Sequence, residues 1–248
     1  MTMQNLFESK WFHCPDGVTR LSSCALRVSS ARWAFADENA REIDAHWVEA
    51  KRSSPNYFNG IVYLVDDVAI SDRALKASLL QTDFKSYLYW RAAGFPAAGV
   101  LDGFGSALIR TQDGRIMLGR QRAGNVNGGQ AYAPAGFIDG QDVDAEGVIH
   151  IDRSALREVT EETGIDPAAL MKDDGFYLTR LGPQLSMAVP LRVRMTTAEF
   201  VRRAEQHIAA SPNSELDAII PIAGLHDVED LPTPRYMRVL LEAILADG

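Results

Sequence analysis

The stretch "DRSALREVTEETG" (152–164) constrains this chain more than any other. Ala155, Leu156, Val159 and Thr163 share one arc at about 100° per residue, so a helix with that side toward a core is expected. Gly164 follows at the C′ position, where a left-handed residue ends a helix. A second arc carries Glu158, Glu161 and Glu162. Glu158 lies i,i+4 from Glu162 and i,i+3 from Glu161, and each relation is repulsive by about 0.2–0.5 kcal/mol. The one cation in reach, Arg157, stands four before Glu161, the weaker order for a helical ion pair. The carboxylates also sit at the negative end of the helix dipole. A solvated acidic face is one reading of such a cluster. The other is a set of oxygen ligands gathered for a hard divalent cation, Mg²⁺ or Mn²⁺.

The residues upstream bear on that choice. "PAGFIDGQD" (134–142) opens a loop at Gly136, and "REVTEETGI" (157–165) follows. Together they resemble the Nudix box, in which Gly and an acidic residue precede Arg-Glu-apolar-x-Glu-Glu-x-Gly-apolar. Arg157, Glu158, Val159, Glu161, Glu162, Gly164 and Ile165 match its second half, and Gly136 matches its opening. Two departures stand out. Asp142 occupies the place of a glutamate, and residues 143–156 separate it from Arg157 where the family pattern is shorter. The insertion "VDAEGVIHID" is read as a lengthened loop, with Asp142, Asp144 and Glu146 all open as the first carboxylate.

The resemblance implies an α/β (α+β) protein, a Nudix-type α/β/α sandwich with a mixed sheet. It implies a metal-dependent hydrolase that cleaves the diphosphate linkage of a nucleoside diphosphate derivative, such as an NDP-sugar or ADP-ribose, by water attack on phosphorus. Glu158, Glu161 and Glu162 are then the catalytic and metal-binding carboxylates, with Arg157 beside them and Gly136 offering a backbone carbonyl. Glu215, in "NSELDAIIPI", is the candidate for an extra ligand from a distant loop. Arg120, Arg122 and Asn125, in "GRQRAGNVNGG", are candidates for gripping substrate. The alternative is a catalytically weak Nudix-fold protein that binds or senses a ligand; such proteins lose helical glutamates, and all three are present. An isoprenoid diphosphate isomerase, the rival chemistry on this fold, needs a cysteine within the domain, and residues 100–248 have none.

The formal charge, 25 − 33 = −8, disfavours nucleic acid as a partner, because the chain would repel a phosphate backbone. An acidic protein that handles diphosphates must recruit positive charge locally, from a few arginines or from cations. Cys14 and Cys24 have no zinc-site spacing and suit a reducing compartment. The opening "MTMQNLFESKWFHCPDG" lacks the apolar run of a leader, so a cytoplasmic protein without membrane partners is expected. A homodimer is expected from the resemblance.

The remaining pattern divides at about residue 100. Residues 1–99 read as a small N-terminal α/β subdomain: a strand in "CALRVSSARWAFA" (24–36), a helix over 37–53 capped by Asp37, two short strands around Asp66-Asp67, and a capped helix in "TDFKSYLYWRAAGFP" (82–96). Tyr89, Trp90 and Phe95 are assigned to its core. Residues 100–248 read as the Nudix domain. "GFGSALIRTQDGRIMLGRQ" (103–121) is a hairpin turning at Asp113-Gly114, further strands follow the glutamate helix through "MAVPLRVRMTTAEF" (187–200), and "RYMRVLLEAILA" is a closing helix.

Overall fold

The computed structural model describes residues 14–246; most of the opening stretch MTMQNLFESKWFHCPDG lies outside them. In chain order the elements are β1 (Gly17–Leu21), β2 (Ser23–Ser29), α1 (Ala34–Glu38), α2 (Ala40–Ser53), β3 (Ile61–Ser71), β4 (Ala74–Asp83) and α3 (Phe84–Ala92). Then come β5 (Asp102–Arg110), β6 (Ile116–Gln121), β7 (Ala131–Tyr132), β8 (Ala135–Phe137), β9 (Val148–Ile149) and α4 (Ile151–Thr163). The chain ends with β10 (Leu170–Lys172), β11 (Phe176–Leu181), β12 (Gln184–Val193), α5 (Thr197–Ala210), β13 (Leu216–Ile222) and α6 (Arg235–Leu245).

Nine strands form a mixed sheet with the order β1-β11-β12-β5-β6-β13, in which β10 adds to β12, β7 to β6 and β8 to β5. At its centre β5 runs parallel to β12 and is buried on both faces along nearly its whole length. Ala107 and Ile109 face a core shared with Ala155 and Val159 of α4 and Phe200 and Ala204 of α5. Phe104 and Leu108 face the opposite core, closed by Tyr236, Leu240 and Leu241 of α6. Helices therefore cover both faces of a mixed sheet, the α/β/α sandwich expected. Among the described residues no helix is long and apolar enough to cross a membrane.

A second, four-stranded sheet has the order β3-β4-β2-β9. It packs with α3 around a third core holding Trp33, Leu64, Tyr87 and Trp90. Trp90 is fully buried there, with Tyr89 and Phe95 half-buried beside it. The division expected at residue 100 falls between α3 and β5, and strands cross it in both directions. From the front of the chain, β1 pairs with β11 in the large sheet. From the back, β9 pairs with β2 in the small one, Leu26 opposite Ile149. The segment read as a plain lengthened loop thus contains a strand. It is folded tightly by Asp144, whose carboxylate accepts from the Glu146 and Val148 amides and lies 2.8 Å from His150 Nε2.

Several local expectations are corrected. "AFADE" is helical, and the following helix begins after Asn39 rather than at Asp37. Asp66-Asp67 is a bulge inside one long strand, because Asp66 accepts a bond from the Ser78 hydroxyl at 2.6 Å and the turn comes at Asp72-Arg73. The 103–121 hairpin turns through Gln112–Gly114, closed by the Thr111 amide on the Arg115 carbonyl. Its strands pair only at Arg110 and Ile116 and then splay, which admits β8 beside β5 and β7 beside β6. "TTAEFVRRAEQHIAA" is a helix from Thr197, capped by Thr196, and not strand.

Candidate active site

The splayed hairpin positions the site. Because β5 and β6 separate, Gly136 on β8 lies alongside Gly105 and faces the last turns of α4. A Cβ at Gly136 would stand 2.2 Å from Glu158 Oε1, so glycine leaves this carboxylate where it stands and a larger residue would push it aside. Helix α4 ends as expected, with Gly164 left-handed at φ 67°.

The acidic stripe is not a solvated face. Glu158 and Glu162 are 7% and 4% exposed, whereas Glu161 is open to solvent. Burial pushes the Glu158 carboxyl up to about 7; Arg157 opposes this, and Glu161, Glu215 and Asp142 reinforce it. Burial raises Glu162 well above its ordinary 4.5, helped by Glu158 and Glu215 and opposed by a hydrogen bond from Gln121. Glu215, at the turn before β13, is raised by partial desolvation and by Glu161. Four carboxylates from two segments thus feel one another. The second oxygen of Glu162 is buried without a hydrogen-bond partner. Buried carboxylates with raised proton affinity and an unsatisfied oxygen form a hard, oxygen-only donor set lacking positive charge, which fits a divalent cation. Among the described residues, however, no three acidic, histidine or cysteine side chains are spaced to hold an ion together. Closing on a cation therefore requires side-chain rotation, for which the exposed Glu215 has room.

Arg157 braces this arrangement. Its guanidinium donates to the Phe137 carbonyl and to Asp142 Oδ2 at 3.1 Å, and lies 2.7 Å from Glu158 and 3.3 Å from Glu161. Asp142 is wholly buried and also accepts from the Asp139 amide. The shortened carboxylate thus anchors the arginine, while Asp144 is engaged with His150.

A cleft of about 1020 Å³ opens over these groups, lined by Gly136, Arg157, Glu158, Glu161 and Glu215, with Arg122 and Asn125 on its rim. Glu162 stands behind Gln121, which is itself a wall residue. Arg120 does not line the cleft: it points to the other side of β6, with its Nε 2.6 Å from Asp217. The far wall comes from the N-terminal half, from residues 53–58, Phe84, Tyr87 and Arg91. Sequence reasoning missed this wall, although Tyr87 and Arg91 are i,i+4 neighbours on a helix it had found. Arg91 donates to Asn127 Oδ1 at 2.7 Å and to the Val126 carbonyl. Tyr87 donates to Asp102, whose buried carboxyl is pushed up to about 6.

No family model matches the chain, and no curated protein does. Solved structures do. They include a Nudix hydrolase from M. smegmatis, RenU, at 15% identity and TM-score 0.39, covering 57% of this chain and 82% of that one. The MutT protein from Methanosarcina mazei Go1 is similar at 21% identity and TM-score 0.40, over 59% and 94%. A C. elegans Ap4A hydrolase is similar at 16% identity and TM-score 0.40, over 58% and 99%. The chain resembles Nudix hydrolases. The case for chemistry rests on the carboxylates and the cleft.

Proposed function

We propose that this protein is a Nudix-type diphosphatase, a metal-dependent hydrolase of nucleoside diphosphate derivatives. The observation that carries the reading is the electrostatically coupled Glu158–Glu162 pair, with Glu158 lining the cleft and Glu162 buried just behind its Gln121 wall. A protein gains nothing in stability from two such carboxylates, so their role is to hold a ligand of opposite charge. Glu158, Glu162 and Glu215, with the Gly136 carbonyl, would hold Mg²⁺ or Mn²⁺. Such a cation, when bound, polarises the phosphate oxygens and acidifies water.

The remaining steps belong to the chain. Glu161, open to solvent at the mouth, accepts the proton of the attacking water. The water oxygen bonds to phosphorus, the bridging P–O bond breaks, and the leaving phosphate departs with the electron pair. Arg157 keeps Glu158 and Glu161 in register with the loop at Phe137 and Asp142. Arg122 offers donors at the rim, whereas the Asn125 NH₂ is engaged by Gln121 and the Glu215 carbonyl. Tyr57, Phe58, Phe84 and Phe137 supply aromatic faces suited to a planar base or to the apolar face of a sugar. Phe58, 81% exposed at the mouth, is the ring most in need of a cover.

The test is to incubate the protein with a panel of NDP-sugars, ADP-ribose and dinucleotides, in Mg²⁺ or in EDTA, and to follow nucleoside monophosphate. Release from at least one compound is expected in Mg²⁺ and should vanish in EDTA and in Glu161→Gln. Equal release in all three conditions, or none from the whole panel, overturns the reading.

A further inference from the structure

At the end of β6 a polar side chain is buried among the core strands. Gln121 is 3% exposed, and all of its hydrogen-bonding groups are engaged. Its amide N–H donates to the Gln130 carbonyl at 2.9 Å, and its carbonyl accepts from the Gly129 amide at 2.8 Å, so both ends of the 122–129 loop are fastened to one residue. Its side-chain Nε2 donates to Glu162 Oε1 at 3.2 Å, and its Oε1 accepts from Asn125 Nδ2 at 3.1 Å. The same Nδ2 donates to the Glu215 carbonyl at 3.0 Å.

The polarity of this chain of bonds is forced. A backbone carbonyl only accepts, so Asn125 must turn its NH₂ toward Glu215. That NH₂ can be met only by the oxygen of Gln121, which leaves the NH₂ of Gln121 for Glu162. One amide therefore presents a donor to the carboxylate, and the rim loop fixes which way round it stands. With Oε1 of Glu162 held, its partnerless Oε2 is the oxygen left for a ligand.

Resting on the hydrolase reading above, we propose that Gln121 is a positioning residue that orients the Glu162 carboxylate for cation binding, with Asn125 joining it to the rim loop and to the Glu215 segment. Gln121 stands in the cleft wall, but its side-chain NH₂ and oxygen are engaged by Glu162 and Asn125, so it acts through Glu162. The arrangement makes the rim and the metal-binding floor a single mechanical unit, although Asn125 is four residues beyond the strand and makes no bond to a helical glutamate.

The experiment measures Mg²⁺ and Mn²⁺ uptake by calorimetry on the whole protein without substrate, for the parent, Gln121→Leu and Asn125→Ala. Thermal unfolding in EDTA confirms that each variant is folded. Gln121→Leu should weaken cation binding by about 10–100-fold, the usual effect of removing a group that orients a metal ligand. Asn125→Ala should weaken it less, in the same direction, and decides the matter alone if Gln121→Leu does not fold. A purely space-filling glutamine would tolerate leucine, with a change in stability and none in cation affinity. If the parent takes up cation and the folded variants bind it as tightly, the positioning role is overturned and the hydrolase reading stands. If the parent takes up no cation, the hydrolase reading itself fails and this role falls with it.

Discussion

Replacing Glu162 with glutamine should make the metal-free protein more stable while removing its activity. Burial, Glu158 and Glu215 raise the proton affinity of this carboxyl well above its ordinary 4.5. The unfolded chain releases that proton from pH 4.5 upward and the folded chain does not, so folding loses about 1.4 kcal/mol for each pH unit in between. Glutamine still accepts the bond from Gln121 but leaves a buried NH₂ without a partner, a penalty of about 1–2 kcal/mol. About one pH unit of titration above 4.5 offsets that penalty, so at neutral pH the sign favours the variant. The sign fixes the window: a raised acid leaves stability intact below pH 4.5 and erodes it as pH rises, so the variant's advantage is absent in acid and grows toward neutrality. Urea unfolding in EDTA between pH 4 and pH 8 measures it. Saturating Mg²⁺ should reverse the order, because ligand at a hundred times its Kd stabilises the parent by about 2.7 kcal/mol and the variant has lost a ligand. A variant less stable than its parent in EDTA at pH 7, or one that gains as much from Mg²⁺, refutes the reasoning.

Two further outcomes follow from the same geometry. Gly136→Ala should lower kcat by at least about tenfold, since a Cβ 2.2 Å from Glu158 Oε1 must displace that carboxylate from Arg157, while the unfolding midpoint hardly moves; an unchanged kcat would show that the position of Glu158 is not critical. Asp102→Asn keeps an acceptor for the Tyr87 hydroxyl and should stabilise the protein progressively as pH rises from 3.8 through about 6, by at most about 3 kcal/mol, as read by thermal denaturation against pH; a difference independent of pH would contradict the burial of an ionisable group there.

The parts of this molecule that were legible in its sequence are those with a long local period or a fixed backbone demand. Helix α4 and its stop at Gly164, the helix over 84–92 behind Asp83, and the closing helix could all be found that way. The electrostatic oddity of the glutamates was also legible, because like charges at i,i+3 and i,i+4 have a definite cost. Pairing between distant segments was not. Two residues, Val148 and Ile149, are too few to show a period, so a strand of the second sheet looked like loop. Arg120 and Arg122 both point away from Gln121 along an extended strand, yet one meets Asp217 and the other the cleft, because the chain leaves the sheet between them. In α5 the signal was present, with Thr196 as cap and Phe200, Ala204 and Ile208 four apart, but it adjoined a β-rich run and was absorbed into it. Gln121 had no local mark at all. A buried polar residue is explained only by what it meets in three dimensions.

The reciprocal loan of β1 and β9 makes the two sheets hostages to each other. A fragment beginning at residue 100 would strip β11 of its outer neighbour and leave the 148–149 strand only its single bridge to Val143, baring a hydrogen-bonding flank prone to self-association. The protein should accordingly melt in one step rather than shed its front half, and no nick near residue 100 should release a working catalytic piece.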